Sequence, residues 1–249
     1  MKTKVKICGI TNEEDALKAS ILGANYLGFL VEIDFAEDKV TRKQAKDIIR
    51  KLPLEVEPVF VTYLKKAKPI IEIAKEIKPS IIQLHNDISL EEIGKIRIKL
   101  PKIKLTKSIS VIDENSIGEA KKYEKYVDFI LLDTKSGKRK GGTGKVHNWD
   151  ISRKIVKSVN KKVFLAGGLN PDNVLEAIKK VKPYAVDTNS GVKSKPRNKL
   201  LKTKFSNGLE KPKVFQKDYK KLGLFIHRAK KWKAKEDLEN TAVCMFLKH

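Results

Sequence analysis

The sequence predicts a single-domain (β/α)₈ TIM barrel, in which eight parallel strands alternate with helices. Eight apolar runs of strand length start roughly 20 to 35 residues apart, which fits one strand and one helix per unit. These runs are apolar nearly throughout, as is typical of a parallel sheet covered on both faces. An open doubly wound sheet is the alternative, but no Gly-x-Gly-x-x-Gly follows the first strand.

The predicted strands come in a regular order along residues 1–192. They lie at about Val5–Cys8, Tyr26–Leu30, Pro58–Val61, Ser80–Leu84, Lys104–Ser108, Phe129–Asp133, Lys162–Leu165 and Tyr184–Asp187.

Helix caps support the segments between these strands. Asn12 is expected to cap a helix over "EEDALKASILGA" that ends at Gly23, and Thr41 to cap "RKQAKDIIRKL". Ser89 with Glu92 three residues later predicts a capping box.

Two further helices begin late in the predicted barrel. Asn170 is expected to cap "NPDNVLEAIKKV", with Pro171 at its first helical position. The segment "KDYKKLGLFIHRAKKW" at 217–232 predicts the last helix, which places the barrel within residues 1–232.

Composition excludes several classes of protein. Hydrophobic residues make up 41% of the 249 residues, which is enough for a core. The longest apolar runs fall far short of the about 20 residues that span a membrane, and the charged opening "MKTKVK" leads us to expect no signal peptide. Cys8 and Cys244 form neither a disulfide framework nor a zinc motif. We therefore expect a cytoplasmic protein without a metal.

The net charge of +24 comes mainly from lysine, because only seven of the 54 basic residues are arginine. A protein that reads nucleic acid would favour arginine, so we do not expect nucleic acid as a partner. Residues 193–249 hold 17 basic against 5 acidic residues. They comprise a basic insertion at 193–216, the last helix and a tail at 233–249. The insertion is interpreted either as a basic lid or as a solvated segment without a catalytic role.

In a barrel, catalytic groups lie at the C-terminal ends of the strands. Cys8 ends the first strand, and Lys6 beside it is a cation that would lower the thiol's pKa. Asp133 ends the sixth strand, before a glycine-rich loop. Gln83 and His85 are two residues apart and so point the same way. Each of these residues also has an interpretation without a catalytic role: Cys8 as a buried core cysteine, Asp133 as an aspartate that caps a loop, and His85 as a hydrogen-bonded structural histidine.

Glycine-rich segments follow the seventh and eighth strands, where a barrel binds phosphate. "LAGGLNP" contains Gly167 and Gly168, and "VDTNSGV" contains Asn189, Ser190 and Gly191. Their backbone N–H groups are expected to form a phosphate cradle.

These motifs together resemble phosphoribosylanthranilate isomerases. The matching segments cover residues 4–192: "KICGIT" at 6–11, "GANYLGF" at 23–29, "PVFV" at 58–61, "IQLHND" at 82–87, "LLDT" with "GGTGK" at 131–145, "LAGGLNPDNV" at 165–174 and "VDTNSGV" at 186–192. The resemblance implies an Amadori rearrangement in tryptophan biosynthesis without a cofactor, with Cys8 as general base and Asp133 as general acid. The implied substrate contacts are Lys6, Gln83, His85, Gly142, Gly144, Gly167, Gly168, Asp187, Asn189, Ser190 and Gly191.

One position departs from the family pattern. Asp38 falls where the family has an arginine against the anthranilate group, and Lys39 or Arg42 are the candidate substitutes. Two other functions therefore stay open: a related barrel enzyme acting on another phosphorylated sugar, and a barrel whose basic C-terminal segment binds a polyanion. The sequence leaves the oligomeric state open between monomer and homodimer.

Overall fold

The chain folds as a closed parallel barrel in a computed structural model that describes residues 2–134, 146–194 and 216–231. The first strand pairs with both the second and the last, which closes the sheet and confirms the predicted (β/α)₈ barrel. The barrel strands are β1 (Lys4–Ile7), β2 (Tyr26–Val31), β4 (Glu57–Thr62), β5 (Ile81–Leu84), β6 (Lys104–Val111), β7 (Phe129–Thr134), β8 (Lys162–Leu165) and β9 (Ala185–Thr188). A two-residue strand, β3 (Lys39–Val40), extends the sheet beside β2.

Helices cover the outside of the barrel between successive strands. They are α1 (Glu13–Ile21), α2 (Arg42–Ile49), α3 (Ala67–Ile77), α4 (Leu90–Lys99), α5 (Asn115–Glu124), α6 (Trp149–Ser158), α7 (Val174–Val181) and α8 (Tyr219–Lys230). The predicted caps Asn12, Thr41 and Ser89 all accept a hydrogen bond from the first turn of their helices. None of the helices in the described ranges has the length and apolarity that crossing a bilayer requires.

Two helix starts differ from the sequence-based expectation. The Glu92 carboxylate does not complete a capping box with Ser89; it accepts a hydrogen bond from the backbone N–H of Ala67, 2.6 Å away at the start of α3. That N–H would otherwise lack an intrahelical partner. The helix after Asn170 begins only at Val174, although the Asn170 side chain still accepts backbone hydrogen bonds from the intervening turn.

An aromatic cluster fills the N-terminal end of the barrel interior. Tyr26 and Phe129 begin their strands, and their rings contact Phe164 at centroid distances of 5.1 and 5.3 Å. Tyr184, just before β9, stacks on Phe129. Because this end of the barrel is packed, open space is left at the opposite end, where the strands finish.

The two flanks of the basic insertion lie side by side. Lys193 and Lys217 form an antiparallel bridge, and the backbone N–H of Ser194 donates to the carbonyl oxygen of Gln216 at 3.1 Å. The predicted insertion is otherwise outside the described residues, as is the predicted tail at 233–249.

Candidate active site

A cavity of about 930 Å³ opens at the C-terminal ends of the barrel strands. Nine of the predicted site residues line it: Cys8, Gln83, His85, Asp133, Gly167, Gly168, Asp187, Asn189 and Ser190. Lys6 and Gly191 do not line the cavity, and Gly142 and Gly144 are outside the described residues. No cluster of three or more His, Cys, Asp or Glu side chains suited to a metal ion occurs in the part of the chain that the structure describes.

Cys8 lies directly after β1 and is almost fully buried. A Cβ at Gly28 on the neighbouring strand would lie 2.7 Å from the Cys8 sulfur, so only glycine leaves room for the thiol. Burial raises the pKa of the Cys8 thiol above its ordinary value, although Lys6 and Lys217 oppose this. Lys6 thus acts on the thiol pKa in the expected direction, but loss of solvation outweighs the nearby cations, so the thiol pKa is not lowered overall.

Lys6 and Asp187 form a buried ion pair beneath the cavity. They are register partners on β1 and β9, and Lys6 Nζ lies 2.6 Å from Asp187 Oδ2. Burial opposes the charge of Lys6, but Asp187 and Cys8 raise the pKa of its ammonium group overall. Asp187 Oδ1 is buried and has no hydrogen-bond partner within the described residues. Lys6 thus holds Asp187 with one carboxylate oxygen available to a ligand.

Asp133 lies at the end of β7, where its carboxyl faces the cavity. Burial raises the pKa of Asp133 to about 6; Asp187 adds to this, while the Thr134 N–H and Lys6 oppose it. His85 Nε2 lies 3.5 Å from Asp133 Oδ2. A carboxyl with a pKa near 6 carries a proton far more often at neutral pH than an ordinary aspartate does.

His85 is held in position by polar and aromatic neighbours. Gln83 Nε2 and Ser108 Oγ lie 3.0 and 3.1 Å from His85 Nδ1, and the Tyr63 ring packs against the imidazole at 4.7 Å. Gln83 and His85 both line the cavity, as their two-residue spacing predicts. Tyr63, which follows β4, also lines it and was missed by the sequence analysis.

The two glycine-rich loops pack tightly against each other. Gly167 and Gly168 have positive φ angles of 81° and 70°, which favour glycine. A Cβ at Gly191 would lie 2.0 Å from the carbonyl oxygen of Leu169, so Gly191 permits the contact between the loops without lining the cavity itself. Thr188 Oγ1 donates to that same carbonyl oxygen at 2.7 Å. The predicted cradle residues other than Gly191 therefore line one wall of the cavity.

Residues 5–202 match the family model described as N-(5′phosphoribosyl)anthranilate (PRA) isomerase. The chain belongs to the PRA isomerase family. The N-(5′-phosphoribosyl)anthranilate isomerase of Methanocella arvoryzae is 40% identical over 200 residues, covering 80% of this chain and 93% of that protein. The solved phosphoribosyl anthranilate isomerase from Thermotoga maritima shares 31% identity at a TM-score of 0.75, covering 92% of this chain and 98% of that chain. A solved enzyme in complex with reduced 1-(o-carboxyphenylamino)-1-deoxyribulose 5-phosphate shares 30% identity at a TM-score of 0.72, with the same coverage.

In this PRA isomerase family member, Asp38 is buried at the cavity wall and bound on both carboxylate oxygens. Its Oδ2 accepts from Asn189 Nδ2 at 2.7 Å, and Lys193 Nζ lies 2.5 Å from its Oδ1. Lys193 lines the cavity as well. The sequence indicated neither contact, because 151 residues or more separate the partners.

The two cations proposed from the sequence to replace the family's arginine point elsewhere. The Arg42 guanidinium pairs with Glu32 and Glu76 on the barrel exterior, and Lys39 Nζ donates to the carbonyl oxygen of Asp34 at 3.1 Å. Neither Lys39 nor Arg42 lines the cavity. Of the described residues that line it, Lys193 is the one lysine, and no arginine does.

Proposed function

We propose that the chain isomerises N-(5′-phosphoribosyl)anthranilate to 1-(2-carboxyphenylamino)-1-deoxyribulose 5-phosphate, a step of tryptophan biosynthesis. The observation that carries this proposal is a buried thiol and a carboxyl with a raised pKa in one cavity, with two glycine-rich loops following the strands between them. Family membership supports the reaction, and the solved relative bound to a reduced product supports the substrate class.

In the proposed first step, Asp133 acts as the general acid. Its proton passes to the ribose ring oxygen, the bond from that oxygen to C1′ breaks, and the anthranilate nitrogen forms an iminium with C1′. A pKa of about 6 keeps part of the carboxyl population protonated near neutral pH. His85, 3.5 Å from the carboxyl, orients this group.

In the second step, the Cys8 thiolate acts as the general base. It takes the C2′ proton from the iminium, whose positive charge acidifies that carbon, and the released electron pair forms the C1′–C2′ double bond of an enolamine. The enolamine then rearranges to the ketose product. The nearby ammonium groups of Lys6 and Lys217 favour the thiolate form against the effect of burial.

The remaining substrate contacts follow from the cavity wall. The backbone around Gly168 and Ser190 is proposed to bind the 5′-phosphate. Asp187 Oδ1 and Gln83 Oε1, both buried and without hydrogen-bond partners among the described residues, are proposed to accept from sugar hydroxyls. An unpaired buried acceptor is costly, so a bound hydroxyl stabilises it.

The anthranilate part is proposed to lie near Phe35, Tyr63 and Lys193. The rings of Phe35 and Tyr63 meet edge to face at 4.9 Å and present an aromatic wall. Lys193 supplies the cation for the carboxylate, while its ion pair with Asp38 fixes the ammonium group at the wall. A cation from the loop after β9 thus takes the part that the family's arginine plays.

The experiment is a fluorescence assay of the purified full chain with phosphoribosylanthranilate. We expect turnover, seen as loss of anthranilate-type fluorescence. Cys8→Ser and Asp133→Asn should each reduce kcat by at least about 100-fold, because a positioned acid or base contributes that much. Circular dichroism checks that both variants fold. Full activity in both folded variants would contradict the assigned roles.

A related enzyme acting on a different phosphorylated sugar is the second candidate function. The buried Asp38 carboxylate favours it, because Asp38 already pairs with Lys193 and its negative charge would repel an anthranilate carboxylate at this wall. A panel of phosphorylated aldoses separates the two candidates. Turnover of another aldose phosphate without turnover of phosphoribosylanthranilate would favour the second one.

A further inference from the structure

Lys217 is a buried lysine in contact with the loop that carries the candidate base. Its side chain lies inside the protein, and Nζ donates to the carbonyl oxygen of Cys8 at 2.6 Å and to Asn189 Oδ1 at 2.9 Å. Its backbone N–H lies 3.2 Å from both carboxylate oxygens of Asp15, near the start of α1. Lys217 therefore joins the segment before α8 to the first βα loop.

The charges around Lys217 come from several elements. Asp15 lies on α1, Asp38 in the loop after β2, and Lys193 across the bridge at the base of the insertion. Burial lowers the pKa of Lys217 to about 8; Asp38, Cys8 and Asp15 raise it, and Lys193 lowers it further.

The two cations near the Cys8 thiol differ in their partners. Lys6 is in direct contact with Asp187, so much of its charge is compensated. Within the described ranges, no carboxylate oxygen lies within 4.0 Å of the Lys217 ammonium group, whose hydrogen bonds go to neutral oxygens. Burying a charge without a carboxylate partner is costly, and this charge is buried beside Cys8. A role at the Cys8 thiol would account for that cost.

We propose that Lys217 is a positioning residue that holds the Cys8 loop through its carbonyl oxygen and stabilises the Cys8 thiolate with its ammonium charge. The proposal deepens the proposed function, because it rests on Cys8 acting as the base. A positive charge near a thiol favours the thiolate. The same ammonium group holds Asn189, which in turn donates to Asp38, so one network links Cys8 to the wall that carries Lys193.

The experiment measures the pH dependence of Cys8 alkylation by iodoacetamide in the full chain. Cys244→Ser removes the only other cysteine and gives the parent protein. Rates are compared at pH 7, where Lys217 still carries its proton; at the thiol's own midpoint, which burial places above the pKa of Lys217, that charge is already lost. In Lys217→Met we expect about tenfold less thiolate at pH 7, since a neighbouring charge shifts a pKa by about one unit or more. The alkylation rate at pH 7 should fall about threefold, because a more basic thiolate is also more nucleophilic and offsets part of that loss. The two rates should converge above about pH 8, where Lys217 is neutral.

Two further variants separate charge from packing. Lys217→Arg keeps the charge and should keep the parent's alkylation rate at pH 7. If Lys217→Met fails to fold, Lys217→Gln takes its place, because it removes the charge but keeps a hydrogen-bond donor, and it should show the same fall in rate. Lys220→Met removes an equal charge from the exposed face of α8 and should change nothing. An unchanged rate at pH 7 in folded Lys217→Met, or a fall in Lys217→Arg that equals the one in Lys217→Met, would overturn the proposal. Alkylation reports on the thiol whether or not the chain turns over phosphoribosylanthranilate, so the result is independent of the proposed reaction.

Discussion

Burial raises the pKa values of both the Cys8 thiol and the Asp133 carboxyl. The reactive pair, a thiolate with a protonated carboxyl, is therefore a minority state near neutral pH. Above about pH 6, each added unit of pH gives about ten times more thiolate and about ten times less carboxylic acid, so the two changes cancel. Below that pH the carboxyl is already protonated, and only the thiolate continues to decrease.

This balance predicts the pH profile of kcat/KM. We expect a level region from about pH 6, where Asp133 titrates, to about pH 8, where Lys217 loses its proton. The profile should fall on both sides, on the alkaline side because the thiolate loses a stabilising charge. Steady-state assays across this range provide the measurement. A continuous rise through the expected level region would mean that Asp133 works unprotonated, against its role as the acid.

Lys193 gives a second test among single side chains. Lys193→Met should lower kcat/KM for phosphoribosylanthranilate by about 10- to 100-fold, the value of a charge-assisted hydrogen bond. The loss should appear mainly in KM. Adding Asp38→Asn should recover part of it, because the single variant leaves a buried carboxylate facing the substrate's own. Lys39→Met is the matched control, since Lys39 points to Asp34 outside the cavity. Equal effects of the Lys193 and Lys39 variants would refute the assignment.

Gly28 on β2 leaves no room for a side chain, whereas Gly94 on α4 faces open space. Gly28→Ala on β2 would place a methyl group 2.7 Å from the Cys8 sulfur and 3.2 Å from its Cα. We expect a destabilisation of about 1–3 kcal/mol from overpacking, together with a large loss of activity. Gly94→Ala on α4 meets no atom within 4 Å. It should stabilise the helix by about 0.5–1 kcal/mol and leave activity unchanged. Urea unfolding and the fluorescence assay measure both; a stabilising Gly28→Ala would refute the packing argument.

The sequence predicted elements well where their cause is local. Most barrel strands are buried on both faces and so read as apolar runs, although β6 also buries Thr106, Lys107 and Ser108. The caps of α1 and α2 act within one helical turn. Strand β3 was missed because two residues carry no periodicity. The capping box at Ser89 failed because Glu92 has a better partner on α3, 25 residues earlier, which only packing reveals.

The sequence predicted the site residues that directly follow strands, but not the contacts between loops far apart in the chain. Cys8, Asp133 and the glycine-rich loops follow strands, so the barrel topology alone brings them to one rim. The network of Asp38, Asn189 and Lys193 joins loops far apart in the sequence, and its cation comes from neither of the candidate positions, Lys39 and Arg42. These contacts depend on distances between side chains that only the folded structure shows.

The role of the basic insertion can be tested in the whole barrel by replacing the insertion with a short turn. Ser194 and Gln216 are joined by a backbone hydrogen bond of 3.1 Å, so an Asn-Gly turn can replace residues 195–215. We expect the shortened chain to keep its melting temperature and kcat. If the insertion is a basic lid, the shortened chain will have a higher KM at low salt and a weaker dependence of KM on salt. Unchanged KM at every salt concentration would exclude the lid and favour a solvated segment without a catalytic role.

Barrel closure brings the first and last βα units to one reactive centre. Cys8 directly follows the first strand, and Lys217, which holds its carbonyl oxygen, comes after the last barrel strand. A ribosome must therefore have passed residue 217 before the thiol gains this support. Cutting the chain between Ser194 and Gln216 would give two fragments that are inert apart, and recovered catalysis would report their reassembly.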